Sequence, residues 1–361
     1  MAGSLHKAVE KSDLKKAETV LSKKTDINAK DFSGNTALYL AVEKGNLPMT
    51  KLLLSKGADV NIQYEGNYTV LMIALYNRKK NENDNKELIA EILKYKPNLE
   101  VKNKNGENAL FVSLYQNSES MNMLLEAGAN PEAVDSRGNT ALVNAVEHGN
   151  GKAILALLQH GADKSVVKDA DGSIMYSAGM SDNLELMSYL LKNGYDVNTK
   201  SEKGFTALHA SKTVEMSALL LKNKANVNIT NNNGQTPIFG VIGYDMIDEE
   251  YRLPHLKLLI KNGAEVNIQS KDGLTPLHIA SLNNSYGMIP VLIQAGAKLE
   301  TKDSEGYTAI MLAAYEGNIE AIQALVKAGA NTKAQNNEGE TALQIAESRQ
   351  HKAIVEFLKA H

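Results

Sequence analysis

The stretch with the densest supply of reactive side chains is FGVIGYDMIDEEYRLPH, residues 239–255. It holds four carboxylates, an arginine, a histidine and two tyrosines. A calcium loop of the EF-hand kind starting at Asp245 would need oxygen ligands at its third and fifth positions and glycine at its sixth. The sequence offers Ile247, Glu249 and Glu250 there, so a solvated acidic loop is the better reading. HGNGKA at 148–153 has the lysine of a phosphate loop, but the glycine needed five residues before Gly151 is Val146. The histidines (His6, His148, His160, His209, His255, His278, His351 and His361) show no His-Glu-x-x-His or comparable metal spacing. The chain has no cysteine, which removes thiolate catalysis, disulfides and cysteine-ligated zinc. No catalytic residue, metal site or cofactor is therefore expected.

Composition narrows the partners. There are 39 basic and 42 acidic side chains in 361 residues, giving no overall field that attracts a phosphate backbone. Nucleic acid is not expected, and no apolar run is long enough to insert in a membrane. A monomer is expected. The cytoplasm is the default compartment, with secretion or a periplasmic location compatible if a leader preceded residue 1. Abundant lysine, asparagine and isoleucine point to an AT-rich genome.

The elements that must position these residues repeat. GNTALYLAVEKGN (34–46), GNTALVNAVEHGN (138–150), TPLHIA (275–280) and TALHA (206–210) are variants of one string, followed by others such as KGADVNIQ (56–63). Anchoring glycines stand at 34, 66, 106, 138, 172, 204, 234, 273, 306 and 339, so successive differences are 32, 40, 32, 34, 32, 30, 39, 33 and 33. Thr36, Thr140, Thr206, Thr236, Thr275, Thr308 and Thr341 sit where a hydroxyl caps a helix, with Pro237 and Pro276 at the first helical position. Glycines such as Gly45, Gly149 and Gly57 supply left-handed helix ends. Each unit is too small to bury its own apolar face and must stack on its neighbours.

These motifs resemble the ankyrin-repeat family over nearly the whole chain. The resemblance implies an all-α ankyrin-repeat solenoid of about ten helix-turn-helix units with β-hairpin-like fingers. Residues 1–30 read as an N-terminal capping unit, 31–335 as internal repeats and 336–361 as a C-terminal capping unit. Insertions fall near 77–87 and 240–252. The 239–255 stretch then becomes a lengthened loop between two helices, because 39 residues separate Gly234 and Gly273. Lys96 and Lys224 replace a helix-ending glycine, and a left-handed lysine is costly, so reshaped ends are expected there. Ile174 replaces a capping threonine, and Gly179 falls inside a helix.

The family resemblance also implies a non-enzymatic scaffold that binds a protein partner through the concave face made by finger tips and first helices. The residues carried onto that face are Phe32, Tyr64, Tyr76, Asn77, Tyr115, Gln116, Glu147, His148, Phe205, Tyr244, Tyr307, Tyr315 and Glu316. Tyrosine offers a large contact area with a polar tip and few rotors. An alternative placement is the repeat region of a secreted bacterial effector or of a larger multidomain protein acting on a host partner. His209 and His278, fourth in their Thr-Ala/Pro-Leu-His strings, are expected to hydrogen-bond locally rather than ligate metal.

The three irregular units in succession make 169–262 the expected place of altered curvature and of first opening. In native-state hydrogen exchange its amides should exchange sooner than those of 303–335. Equal protection in the two segments would refute this.

Overall fold

A computed structural model describes residues 2–76, 82–114, 118–167, 170–243 and 249–361. Among these the chain forms twenty-two α-helices, two short 3-10 turns and no strand, with one isolated bridge between Val134 and Thr140. The helices associate as antiparallel pairs, and first helices pack on first helices, second on second. Twenty-two helices make eleven pairs, one more than the anchoring glycines suggest. The chain divides into two compact units, 1–167 and 168–361.

The unit of structure follows from its sequence. Thr36 shows the start: its hydroxyl accepts from the Tyr39 amide at 3.2 Å, and Ala37, Leu38, Ala41 and Val42 behind it are buried. Asn108 does the same where threonine is missing, accepting from the Phe111 amide at 3.2 Å. Second helices start on asparagine: Asn46, Asn150 and Asn183 accept from Met49, Ala153 and Leu186 at 3.1, 3.1 and 3.0 Å. The fingers are closed turns rather than strands. In the first, the Asp31 amide donates to the Asn35 carbonyl at 2.8 Å, while its carboxylate accepts from the Ser33 and Asn35 amides, both at 2.9 Å.

Within each unit, one kind of bond from an asparagine or glutamate side chain ties a repeat to the next. Within the first unit, the side-chain oxygens of Asn28, Asn61, Glu100 and Glu132 accept from the amides of Asp59, Asn98, Asn130 and Asp163 at 2.9, 2.7, 3.0 and 2.8 Å. Within the second unit, Asn198, Asn228, Asn267 and Glu300 accept from Asn226, Glu265, Lys298 and Asn331 at 2.7, 2.9, 2.8 and 2.8 Å. Asn228 and Asn267 also donate to the Gly263 and Gly296 carbonyls, both at 2.8 Å. Two residues on, Lys102, Lys200 and Lys302 each reach a carbonyl of the following finger at 2.7 Å. These lysines are structural as well as solvating.

Three sequence expectations are corrected. Lys96 and Lys224 do not reshape their helix ends; they take the left-handed conformation themselves, at φ 50° and 67°. The insertions are not loop alone: the second helices of the long repeats run Glu82–Leu93 and Glu249–Lys261, so the described inserted residues before them extend these helices at their N-terminal ends. Residues 77–81 and 244–248, the latter with Asp245 and Asp248, lie outside the described residues. Gly172 does not turn a finger. The helix Ala170–Met180 runs through that position, which is why Ile174 needs no threonine before it. Gly179, a weakness in an isolated helix, is required here, since a Cβ on it would lie 2.5 Å from the Ala207 carbonyl oxygen.

Opposite mutational effects follow. Gly179→Ala forces the helices Ala170–Met180 and Ala207–Ala210 apart and should lower stability by about 1–3 kcal/mol. Lys224→Gly relieves a left-handed lysine and should raise it by about 1 kcal/mol, part of the gain being offset by unfolded-chain entropy. Urea midpoints that move the other way would contradict the packing described.

Candidate binding face

The candidate residues fall into three groups. Phe32 stands at the tip of the first finger, fully exposed. Tyr307, Tyr315 and Glu316 form a cluster in the second unit. The Tyr315 ring has the Arg349 guanidinium 3.4 Å from its centroid and meets the Tyr307 ring edge-on at 6.4 Å, yet 37% of the residue stays exposed. Its orientation is fixed before any partner arrives. Partial burial raises the Tyr307 hydroxyl pKa against a lowering hydrogen bond from Asn336. Glu316 ends its helix beside them and is exposed.

A second group packs on neighbours. Tyr64 is corrected by the structure: it is buried at 7% exposure, with its hydroxyl 2.7 Å from Thr36 Oγ1 and its ring 4.7 Å from that of Tyr39. Burial pushes its pKa up to about 12. Bulky aromatics in adjacent fingers and helices meet each other before they meet solvent. Tyr76 ends the helix Val70–Tyr76 half-exposed, edge-on to Tyr68 at 5.6 Å. Phe205 is half-buried between Tyr176 and His209, at 5.8 and 5.6 Å. Glu147 and His148 end the helix Ala141–Glu147 on the exposed side, and His148 Nδ1 sits 2.8 Å from the Asn144 carbonyl. The third group, Asn77, Tyr115, Gln116 and Tyr244, lies outside the described residues.

Sequence reasoning missed Asn144, whose Oδ1 accepts from the Arg137 guanidinium at 2.7 Å while its amide donates to Asp135 at 3.2 Å. Burial pushes the Asp135 pKa up, but the Asn139 amide, Asn144 and Arg137 outweigh it and hold the carboxyl low. A polar residue at the core-facing step of the helix, Asn144 where Leu40 stands in the first repeat, was the signal.

The reactive-looking residues are spent on structure. Nδ1 of His209 accepts from the Thr206 amide at 3.1 Å, which leaves Nε2 to donate to the Gln235 carbonyl of the next finger at 3.0 Å. His278 repeats this with Thr275 and the Tyr307 carbonyl, at 2.9 and 3.2 Å. His255 lies 2.5 Å from Ser217 Oγ, Ser217 Oγ lies 2.7 Å from Ser211 Oγ, and Ser211 donates to the Leu208 carbonyl at 3.0 Å. This buried chain satisfies a carbonyl left open by the four-residue helix Ala207–Ala210. Arg252, also buried, donates to the Ile242 and Val241 carbonyls at 2.7 and 3.3 Å and so caps the helix Pro237–Gly243. Among the described residues no group of three His, Cys, Asp or Glu is placed to hold a metal ion, and no helix is long and apolar enough to cross a membrane.

Comparison with known proteins decides the family. The model described as ankyrin repeats (3 copies) matches residues 5–82, 80–168, 174–248, 245–336 and 292–361. The chain belongs to the ankyrin-repeat family. It is 30% identical over 135 residues to the Nuclear factor NF-kappa-B p105 subunit of Gallus gallus, covering 34% of this chain and 14% of that protein. It is 32% identical over 117 residues to the B-cell lymphoma 3 protein homolog of Mus musculus, covering 32% of this chain and 26% of that one. The Potassium channel AKT2/3 of Arabidopsis thaliana is 32% identical over 128 residues, 35% of this chain and 16% of the channel. In each case the match spans a minor part of the relative's length. Ankyrin repeats are generally protein–protein interaction modules.

The buried imidazoles set an acid limit. Burial lowers His209 and His255 from 6.5 to about 4, and lowers His278 in the same direction. The unfolded chain therefore binds more protons than the folded one between about 6.5 and 4. Stability should be full above that window and fall as pH drops through it. Urea unfolding of the whole chain at pH 7 and pH 4.5, followed by far-UV circular dichroism, checks this. The acid loss should shrink when His255 is replaced, and an unchanged loss would contradict the assignment.

Proposed function

We propose that this chain is a non-enzymatic scaffold that binds another protein through the face carrying its finger tips and the ends of its first helices. The observation that supports it most is Tyr315, an exposed ring already clamped by Arg349 and Tyr307. An anchor held in one orientation loses little side-chain entropy on binding, so its buried area is converted to affinity more fully. Phe32, fully exposed, provides apolar area at a finger tip in the other unit, with Tyr76, Glu147 and His148 around first-helix ends there. In this reading the chain acts as a monomer and takes neither nucleic acid nor membrane as partner.

Because the matched segment is a small share of each relative, a second reading is the recognition arm of a larger multidomain protein, or a secreted bacterial effector acting on a host partner. A fused domain or a leader in the full reading frame would separate it from the free-standing scaffold.

Tyr315→Ala and Phe32→Ser, made singly, serve as controls in affinity capture from the native organism's lysate. At least one should weaken capture of a specific protein about 30-fold, the scale of a hot-spot loss, with helicity and melting temperature retained. Capture unaffected by either would remove these residues from the face.

A further inference from the structure

In the second unit one repeat lacks the side chains that fill this face elsewhere. Four residues after the capping threonine, other repeats carry Leu40, Ile73, Ile279 or Leu312; this one carries Gly240. Seven residues after it, where others carry Glu43, Tyr76, Glu147 or Tyr315, it carries Gly243. Their absence uncovers a cavity of about 260 Å³ walled by Phe205, Phe239 and Ile279. That is below the roughly 300–1,000 Å³ of sites for cofactors and drug-sized ligands and suits a single large side chain.

The chemistry of the lining selects the occupant. Among the described residues His209 is its only ionisable group, and burial keeps that ring uncharged. A charged side chain would be desolvated there without a partner. Thr236 is among the lining residues, and its Oγ1 is buried behind the cavity wall without a hydrogen-bond partner. In the repeats at Thr206 and Thr275 a histidine three residues on meets the threonine hydroxyl, at 2.9 and 2.8 Å. Here Phe239 stands in that place and cannot.

We propose that this cavity seats one aromatic side chain with a polar hydrogen, tyrosine or tryptophan, of a protein segment bound on the face described above; it therefore rests on that reading. The ring packs against Phe205, Phe239 and Ile279, and its O–H or N–H donates to Thr236 Oγ1. Gly243→Leu closes the cavity without threatening the fold. Gly243 lies in a helix without positive φ, and its Cβ would meet Ile279 Cγ2 at an ordinary 3.8 Å.

The test uses the full chain labelled with ¹⁵N-glycine. N-acetyl-L-tryptophanamide and N-acetyl-L-tyrosinamide should shift the Gly240 and Gly243 amides saturably at millimolar concentration, and N-acetyl-L-lysinamide should not. The shift at Gly240 should vanish in Gly243→Leu and need about tenfold more ligand in Thr236→Val. Lysinamide acting equally, or a Gly243→Leu titration like that of the native chain, overturns the proposal. Panning a random peptide library separates the two readings. Tyrosine- or tryptophan-bearing binders lost in Gly243→Leu support the cavity. Binders lost in Tyr315→Ala or Phe32→Ser but indifferent to Gly243→Leu overturn it and leave the face. Binders indifferent to all three overturn both.

Discussion

Everything in this molecule depends on a side-chain oxygen reaching the backbone amide of the next repeat. Asn28 to Asp59 and Asn267 to Lys298 are two instances of the same bond, at 2.9 and 2.8 Å. A single helix pair cannot bury its apolar stripe, so its stability comes from the neighbour. Dispersion and apolar burial supply most of that free energy, but they are indifferent to small slides of one pair on the next. The amide bond is directional. It fixes register at the turns, and the threonine caps and finger turns then fall into line. Register, in turn, is what sets finger tips side by side as a face.

The irregular repeats obey the same constraint by other means. The short helix Ala207–Ala210 leaves a carbonyl open, and the chain Ser211–Ser217–His255 closes it from the neighbouring repeat. The helix Pro237–Gly243 ends in carbonyls that Arg252 covers from the lengthened second helix. Buried polar groups without partners would cost more than the substitutions that introduced them. The seeming active site at 239–255 is thus partly a repair kit for its own repeat and the one before it. Its arginine holds backbone carbonyls directly, and its histidine acts through the Ser217 hydroxyl.

The features proposed for binding lie where the repeat pattern leaves something unfilled or over-filled. Tyr315 is over-determined by Arg349 and Tyr307 and still reaches solvent. Gly240 and Gly243 leave a neutral cavity with one unspent hydroxyl. Both are local departures on one type of surface, and neither perturbs the bonds between repeats. A stacked scaffold tolerates such changes because each repeat answers only to its two neighbours.

The sequence by itself determined the helical class, the capping threonines and the local bonds of His209 and His278 to Thr206 and Thr275, because each rests on contacts within about four residues. Gly45, Gly57 and Gly128 were legible as left-handed ends for the same reason, and they hold φ values of 61°, 88° and 92°. The tertiary structure alone decided which rings remain exposed. Tyr64 and Tyr315 were both carried onto the face from the sequence, but Tyr64 turns to Thr36 and Tyr39 across a repeat boundary and is lost to solvent. The need for Gly179 was hidden for the same cause: it is settled by the Ala207 backbone of an adjacent repeat, about thirty residues away, a distance over which local pattern carries no information.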